Sequence, residues 1–389
     1  MNNIYFLLFA FLFFLVSSTS APDDKKKAKK VKHAAVNVLE RGLVENEIEL
    51  DDIVKNHAIY CDKCKNKKNF ENKVLGYVTP WNSRGYDIAK VFANKLDLVS
   101  PVWLQIQRVG RKNYQLTGTH DIDMKWINAV KKKSNQTSQL VPRILFERLK
   151  MEDLHALFND EEEIDSLAKM LLKKSIDFQF NGYVLEVYMQ LSGHGKNSIN
   201  HLVRDLCKAL HQQDKLLFLV IPPVMMEKEK LFDKKDFDLL KDDIDGFSLM
   251  TYDYYSHSGL IGPNAPIDWI RQNIDYFTDD LQYRKKILLG LNFYGMKFVT
   301  NSAGKPISQP EPIIGKDYIK FIKNNEMNLK WEENYKEHIL VSIDKNQPTF
   351  LFYPTLSSIF NRIELARELG TGLSIWELGQ GLDYFYDLL

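Results

Sequence analysis

Polar and aromatic side chains recur at the ends of short apolar runs in this chain. Tyr77 lies in Val74 to Thr79, Trp103 and Gln105 in Leu98 to Gln105, and Tyr252 with Asp253 follows Ile244 to Thr251. Asn292 lies in Ile287 to Phe293, Trp376 in Gly372 to Leu378, and Glu186 in Phe180 to Met189. Tyr188 shares the face of Glu186, because side chains two apart on a strand point the same way. Aromatic faces stack on the C–H faces of sugar rings while carboxylates and amides bond the hydroxyls, so the set suits an oligosaccharide site. The competing reading is layer filling, to which Phe247, Phe293 and Tyr183 are assigned.

Those runs imply the elements that must hold the site. Together with Leu140 to Phe146 and Leu216 to Ile221 they make eight strand candidates, each followed by a charged amphipathic stretch long enough for a helix. This βα alternation predicts an α/β fold, a (β/α)8 TIM barrel whose functional face lies at the C-terminal ends of the strands. The gap from Tyr294 to Thr371 exceeds a crossover and carries β-like runs around Trp331, His338 to Ile343 and Thr349 to Tyr353. It is read as a small strand-rich insertion between strands 7 and 8, followed by a helix over Ser357 to Leu369. A doubly wound sheet is the alternative, but no Gly-rich phosphate loop follows the first strand.

Residues 1–20 are expected to be a secretory signal. Ile4 to Val16 is an apolar run too short to span a bilayer, and small residues follow it. Residues 21–73 are read as a charged, solvated arm and 74–389 as the barrel. The formal net charge of +1 gives no push towards nucleic acid or an anionic membrane. With 44% hydrophobic residues, disorder is excluded as the main character. Cys61 and Cys64 have C-x-x-C spacing, which an oxidising compartment turns into a local disulfide, with a metal half-site or redox pair as alternatives. Cys207 falls on the apolar face of a helical stretch and is expected to be a buried free thiol. Asn135-Gln136-Thr137 is a glycosylation sequon in a polar stretch. No cofactor, metal or membrane span after signal cleavage is expected.

The strings Met250-Thr251-Tyr252-Asp253, Leu289-Gly290-Leu291-Asn292-Phe293-Tyr294-Gly295 and Gly372 to Leu378 resemble strand motifs of the glycoside hydrolase family 18 chitinases. Val74 to Asn82, Pro101 to Gln105 and Gly262 to Pro266 extend the likeness over about four-fifths of the chain. The resemblance implies an Asp-Gly-x-Asp-x-Asp-x-Glu motif on strand four, whose Glu protonates the glycosidic oxygen while the substrate's acetamido group acts as nucleophile. Here the aligned stretch is Asn181-Gly182-Tyr183-Val184-Leu185-Glu186-Val187-Tyr188, which puts Tyr188 where the acid belongs. A phenol with a pKa of about 10 is a poor proton donor near neutral pH. Glu186 is the only substitute, and it stands roughly 6.6 Å further back along the strand. The Ser-x-Gly-Gly pattern after strand three is absent as well. The resemblance therefore implies a secreted, non-hydrolytic chitinase-like lectin that binds an oligosaccharide through Tyr77, Trp103, Glu186, Tyr188, Tyr252, Asp253, Asn292 and Trp376. It also implies a scavenger or sorting receptor as partner and a lysosomal destination. The alternatives are an altered hydrolase using Glu186 with Asp253, or a protein-binding scaffold.

Overall fold

The computed structural model describes residues 33–191, 195–225, 230–342 and 348–389. The signal segment expected over 1–20 and the start of the arm, 21–32, lie outside the described residues. No helix among the described residues is long and apolar enough to cross a membrane.

The first half of the barrel runs through β1 (Val74–Val78), β2 (Leu98–Pro101), β3 (Leu104–Gly110), β4 (Asn113–Thr117), β5 (Gln139–Leu140), β6 (Arg143–Phe146) and β7 (Gly182–Leu185). The second half adds β8 (Leu216–Ile221), β9 (Gly246–Leu249), β10 (Ile287–Asn292) and, after an insertion, β16 (Gly372–Trp376). Parallel pairing runs from β2 through β1, β16, β10, β9, β8, β7 and β6 to β3. Only Val102 and Trp103 separate β2 from β3, and only Val141 and Pro142 separate β5 from β6. Since β2 also pairs with β5, the second and third strand runs join at both levels and the ring closes. The interruptions fall at Pro101 and Pro142, whose nitrogens cannot donate to a ladder. Those runs were expected as single strands, and β4, which returns antiparallel on β3, was not foreseen.

Between the strands lie α2 (Arg84–Val91), α3 (Met124–Lys133), α4 (Met151–Asn159), α5 (Glu161–Asp177), α6 (Tyr188–Leu191), α7 (Lys196–His211), α8 (Lys234–Leu240), α9 (Ile267–Phe277), α10 (Leu281–Arg284) and α12 (Leu356–Leu369). Their apolar residues recur at helical spacing, as in Ile199, Leu202, Val203, Leu206 and Leu210 of α7, all buried against the barrel's outer surface. Start signals are equally local. Asp123 accepts the N–H groups of Lys125 and Trp126 at the head of α3, and Thr355 with Ser358 forms a capping box on α12.

The insertion is an antiparallel sheet of β11 (Gly295–Val299), β12 (Glu311–Ile313), β13 (Met327–Glu332), β14 (Glu337–Ser342) and β15 (Thr349–Phe352), in the order β12-β11-β15-β14-β13, with α11 (Gly315–Asn324). It occupies the long gap between the seventh and eighth barrel strands, where strand-rich sequence was expected.

Strand alternation divides the core. Leu75, Tyr77, Leu98, Val102, Val141, Val184, Phe218, Val220 and Leu288 fill the barrel, whereas Val78, Val99, Tyr183, Leu185, Leu219, Phe247, Leu289 and Leu373 face the helices.

The arm expected to be solvated is not so where it is described. Across 33–73, Val38, Ile53 of α1 (Leu50–Asn56), Tyr60, Cys61 and Phe70 are buried. Cys61 and Cys64 form a disulfide. The Cys61 N–H donates to both carboxylate oxygens of Asp387 at 3.0 and 3.1 Å, and Arg367 donates to the Asn69 carbonyl. The acidic composition of 40–52 conceals apolar residues spaced widely enough to anchor the segment, which charge counting alone could not reveal.

Candidate functional site at the barrel mouth

The C-terminal ends of β1, β7, β9, β10 and β16 bring together Tyr77, Glu186, Tyr252, Asp253, Asn292 and Trp376. Trp376 ends β16 half-buried, with its ring 5.2 Å from that of Tyr77 and its residue paired in register with Asn292. It packs against both the barrel interior and the face of the insertion sheet formed by Tyr294, Met296, Phe298 and Phe352. The insertion thus supplies one wall of the mouth.

Tyr77 lies below that surface. It is 2% exposed and its hydroxyl donates to Ser248 Oγ at 2.9 Å, which in turn is 2.7 Å from Ser374 Oγ. It supports Trp376 from beneath and offers no free hydroxyl to a ligand. Burial raises its pKa far above the usual phenol range.

Glu186 follows β7, and its Oε2 accepts a hydrogen bond from Arg143 Nη1 at 2.5 Å. Arg143 is buried and its Nε has no partner. Sequence reasoning passed over this arginine. The signal was its parity, for it stands two residues after the inward-facing Val141 and is in register with Val184.

Asp253 stands at φ +65° in the loop after β9. Its N–H donates to Asn264 Oδ1 at 2.7 Å, and its Oδ1 accepts from the Tyr294 hydroxyl at 2.5 Å and from Ser256 Oγ at 3.2 Å. Burial raises its pKa, against which the Tyr294 and Ser256 hydrogen bonds act. Tyr252 is brought into the barrel mouth by Gly290, where a Cβ would come within 2.4 Å of the Leu249 carbonyl and 3.0 Å of the Tyr252 ring. Thr251 locks that junction, its hydroxyl donating to the Gly290 carbonyl at 3.0 Å and accepting the Gly290 N–H at 2.9 Å. Asn292 Nδ2 donates to the Tyr294 carbonyl at 2.8 Å. Tyr294 and Asn264, which fix Asp253 and Asn292, were not among the expected site residues.

Two expected residues stand elsewhere. β7 ends at Leu185, and Tyr188 opens the short helix α6 with no exposed surface. Its hydroxyl donates to Asn200 Oδ1 on α7, and its ring lies edge-on to Phe232 at 4.8 Å. The two-residue periodicity that put it in the mouth stops with the strand, and the helical turn rotates the phenol into the shell. Trp103 falls in the break between β2 and β3, 1% exposed, with Nε1 donating to the Tyr86 hydroxyl and its ring against Tyr86 and Trp126. Trp81, which follows β1 and is 62% exposed, is instead an available indole on the mouth side. Asn135 is exposed on the turn after α3.

A buried carboxyl lies beside the site. Glu377 accepts from Asn82 Nδ2 at 2.5 Å and from the Gly379 N–H at 2.9 Å, and burial pushes its pKa up to about 7.

Residues 73–381 match the sequence model of Glycosyl hydrolases family 18. Among solved structures, a chitinase from Chromobacterium violaceum superposes with a TM-score of 0.66 at 18% identity, covering 82% of this chain and 98% of that one. The spore cortex-lytic enzyme SleL of Bacillus cereus gives 0.68 at 14% identity, covering 89% of this chain and 84% of that one. A chitinase of Cycas revoluta, solved in complex with (GlcNAc)3, gives 0.65 at 14% identity, covering 81% and 97%.

Proposed function

The chain belongs to glycosyl hydrolases family 18, and from that premise we propose that it is a non-hydrolytic member, a chitinase-like lectin that holds an oligosaccharide at the barrel mouth. The observation that carries the reading is the end of strand four. There Tyr188 is withdrawn into the helical shell, bonded to Asn200, and the carboxyl that follows the strand, Glu186, is held by Arg143. Glu186 would have to surrender Arg143 before it could donate a proton to a leaving alcohol. A general acid must reach the scissile oxygen at about 2.6 to 3.2 Å. What remains is Trp376 over Tyr77, with Tyr252, Asp253 and Asn292 beside it, a surface able to stack on a sugar and bond its hydroxyls.

Within the family, the long strings Val74 to Asn82, Gly262 to Pro266 and Leu373 to Leu389 resemble the branch of chitinase domain-containing protein 1, the stabilin-interacting chitinase-like protein, and we propose membership of that branch. That placement, with the apolar run Ile4 to Val16 and the exposed sequon at Asn135, supports a secreted or lysosomal glycoprotein handled by a scavenger or sorting receptor. Because the Cycas revoluta chitinase holds (GlcNAc)3 in its structure, N-acetylglucosamine oligomers are the first ligands to test. Calorimetric titration with these oligomers should give binding, while a chromogenic analogue yields no product above a Glu186→Gln control. Product release that Glu186→Gln abolishes would replace this reading with an altered hydrolase, and absence of binding across a glycan array would leave a protein-binding scaffold.

A further inference from the structure

On the opposite face of the barrel, three side chains of different chemistry converge. Cys207 and His211 stand four apart on α7 and so share one face of the helix. Asp245 immediately precedes β9. Cys207 Sγ lies 3.5 Å from His211 Nε2, and the same Nε2 lies 2.9 Å from Asp245 Oδ2. All three ligand atoms fall within 4.8 Å of one another. We propose that Cys207, His211 and Asp245 form a zinc site that ties the end of α7 to the start of β9.

The distances fit that ion. Tetrahedral zinc with Zn–S of about 2.3 Å and Zn–N and Zn–O of about 2.0 Å requires sulfur–nitrogen edges of about 3.6 Å and nitrogen–oxygen edges of about 3.3 Å. The sulfur–nitrogen and nitrogen–oxygen edges, 3.5 and 2.9 Å, need to open by no more than a few tenths of an ångström, and the sulfur–oxygen edge lies within 4.8 Å. Thiolate, imidazole and carboxylate together are also the donors zinc accepts. On binding, the Cys207 thiol releases its proton to solvent and His211 Nε2 takes the metal as the neutral ring. Solvent reaches the cluster on the His211 side, where that side chain is 40% exposed. Asp245 is held for the task, its Oδ2 accepting the Leu217 N–H at 2.7 Å and its own N–H bonding the Leu217 carbonyl at 3.1 Å. The nearby Lys286 ammonium is occupied by the carbonyls of Lys241, Asp242 and Ile244.

A second cluster, Glu161, His201 and Asp205, lacks this convergence. There Glu161 meets His201 Nε2 at 2.8 Å while Asp205 meets Nδ1 at 3.3 Å, so the carboxylates address different ring nitrogens. The location of the Cys207 site, at the N-terminal ends of β8 and β9, points to a stabilising metal rather than a catalytic one. Cys207 is the buried free thiol expected from its place on the apolar face of a helix, and Asp245, 38 positions away, is brought near it only by the fold.

The full chain, stripped of metal by a chelator with its Cys61–Cys64 disulfide left intact, leaves Cys207 as the one free thiol. One equivalent of Co2+ should produce a thiolate-to-metal charge-transfer absorption that Zn2+ then abolishes, and Zn2+ should raise the melting temperature. Cys207→Ser should remove the absorption. His211→Gln, at an exposed position that folding tolerates, should weaken Zn2+ at least about tenfold and cancel the melting shift. His201→Gln should change neither. A parent chain that takes up no Zn2+ at micromolar free ion, or His211→Gln binding it as tightly as the parent, overturns the proposal.

Discussion

Position 188 separates the two ways of reading strand four. By alternation it faces the barrel mouth; in the fold its hydroxyl bonds Asn200, which also donates to Asp236 Oδ1 at 2.7 Å. Tyr188→Glu should therefore restore no cleavage, because the new carboxyl would sit among buried groups beside Asp236. Its cost should exceed that of Tyr188→Phe, which leaves the Asn200 oxygen without its donor at about 1–3 kcal/mol. Denaturant midpoints of the two variants, with a hydrolysis assay on Tyr188→Glu, check this, and cleavage by that variant would reinstate the alignment. The aromatic residues divide similarly. Trp376→Ala should weaken a confirmed glycan by about 1 kcal/mol beyond lost area. Trp81→Ala, at a 62% exposed position, should alter stability by no more than about 0.5 kcal/mol. Any loss of affinity in Trp81→Ala can then be assigned to the ligand.

At the scale of elements, the segment 33–73 is a component of the barrel's support and not an appendage. Val38, Ile53 and Phe70 are buried, His338 Nε2 meets the Asn46 carbonyl at 2.9 Å, and Ser357 Oγ donates to the Glu45 carbonyl at 2.6 Å. Each large apolar side chain of this kind contributes about 1.5–3 kcal/mol when fully buried. A chain beginning at Val74 should accordingly melt well below the parent or aggregate, although it retains every barrel strand. Equal melting temperatures would show that the docking of 33–73 contributes nothing. The insertion works in the other direction, towards the site, since its sheet places Tyr294 against Asp253 and closes one side of the mouth around Trp376.

For the molecule as a whole, two buried carboxyls set a pH dependence. Burial pushes Glu377 from the ordinary 4.5 up to about 7 and Asp387 from 3.8 up to about 6. An acid whose pKa is raised on folding binds more protons in the native state, so stability falls as pH rises through that window. For Glu377 the loss runs from about pH 4.5 to 7, and it reaches roughly 3 kcal/mol above that range. His57 and His338 act oppositely, since burial lowers their pKa and they lose stability as pH drops through the ordinary histidine range. The difference between parent and Glu377→Gln isolates the carboxyl. From pH 5 to pH 8 the parent should lose a few degrees of melting temperature relative to the variant. Parallel curves would mean that Glu377 titrates normally.

The order of βα units, the strand-rich insertion and the aromatic residues gathered at the mouth were legible from residue types, because alternation and helical spacing are local and their periods survive in the string. The C-x-x-C pair was legible for the same reason, its partners being three apart. What the string could not carry was where a period stops. β7 ends at Leu185 and the next turn is helical, so Tyr188 changes sides; Trp103, one residue after the inward-facing Val102, lies on the helix-facing side. Contacts across long separations were equally invisible: Arg143 against Glu186, Asp387 on the Cys61 N–H, and Asp245 beside Cys207. Each depends on ring closure and on helices laid over strands, which set distances that sequence separation does not encode.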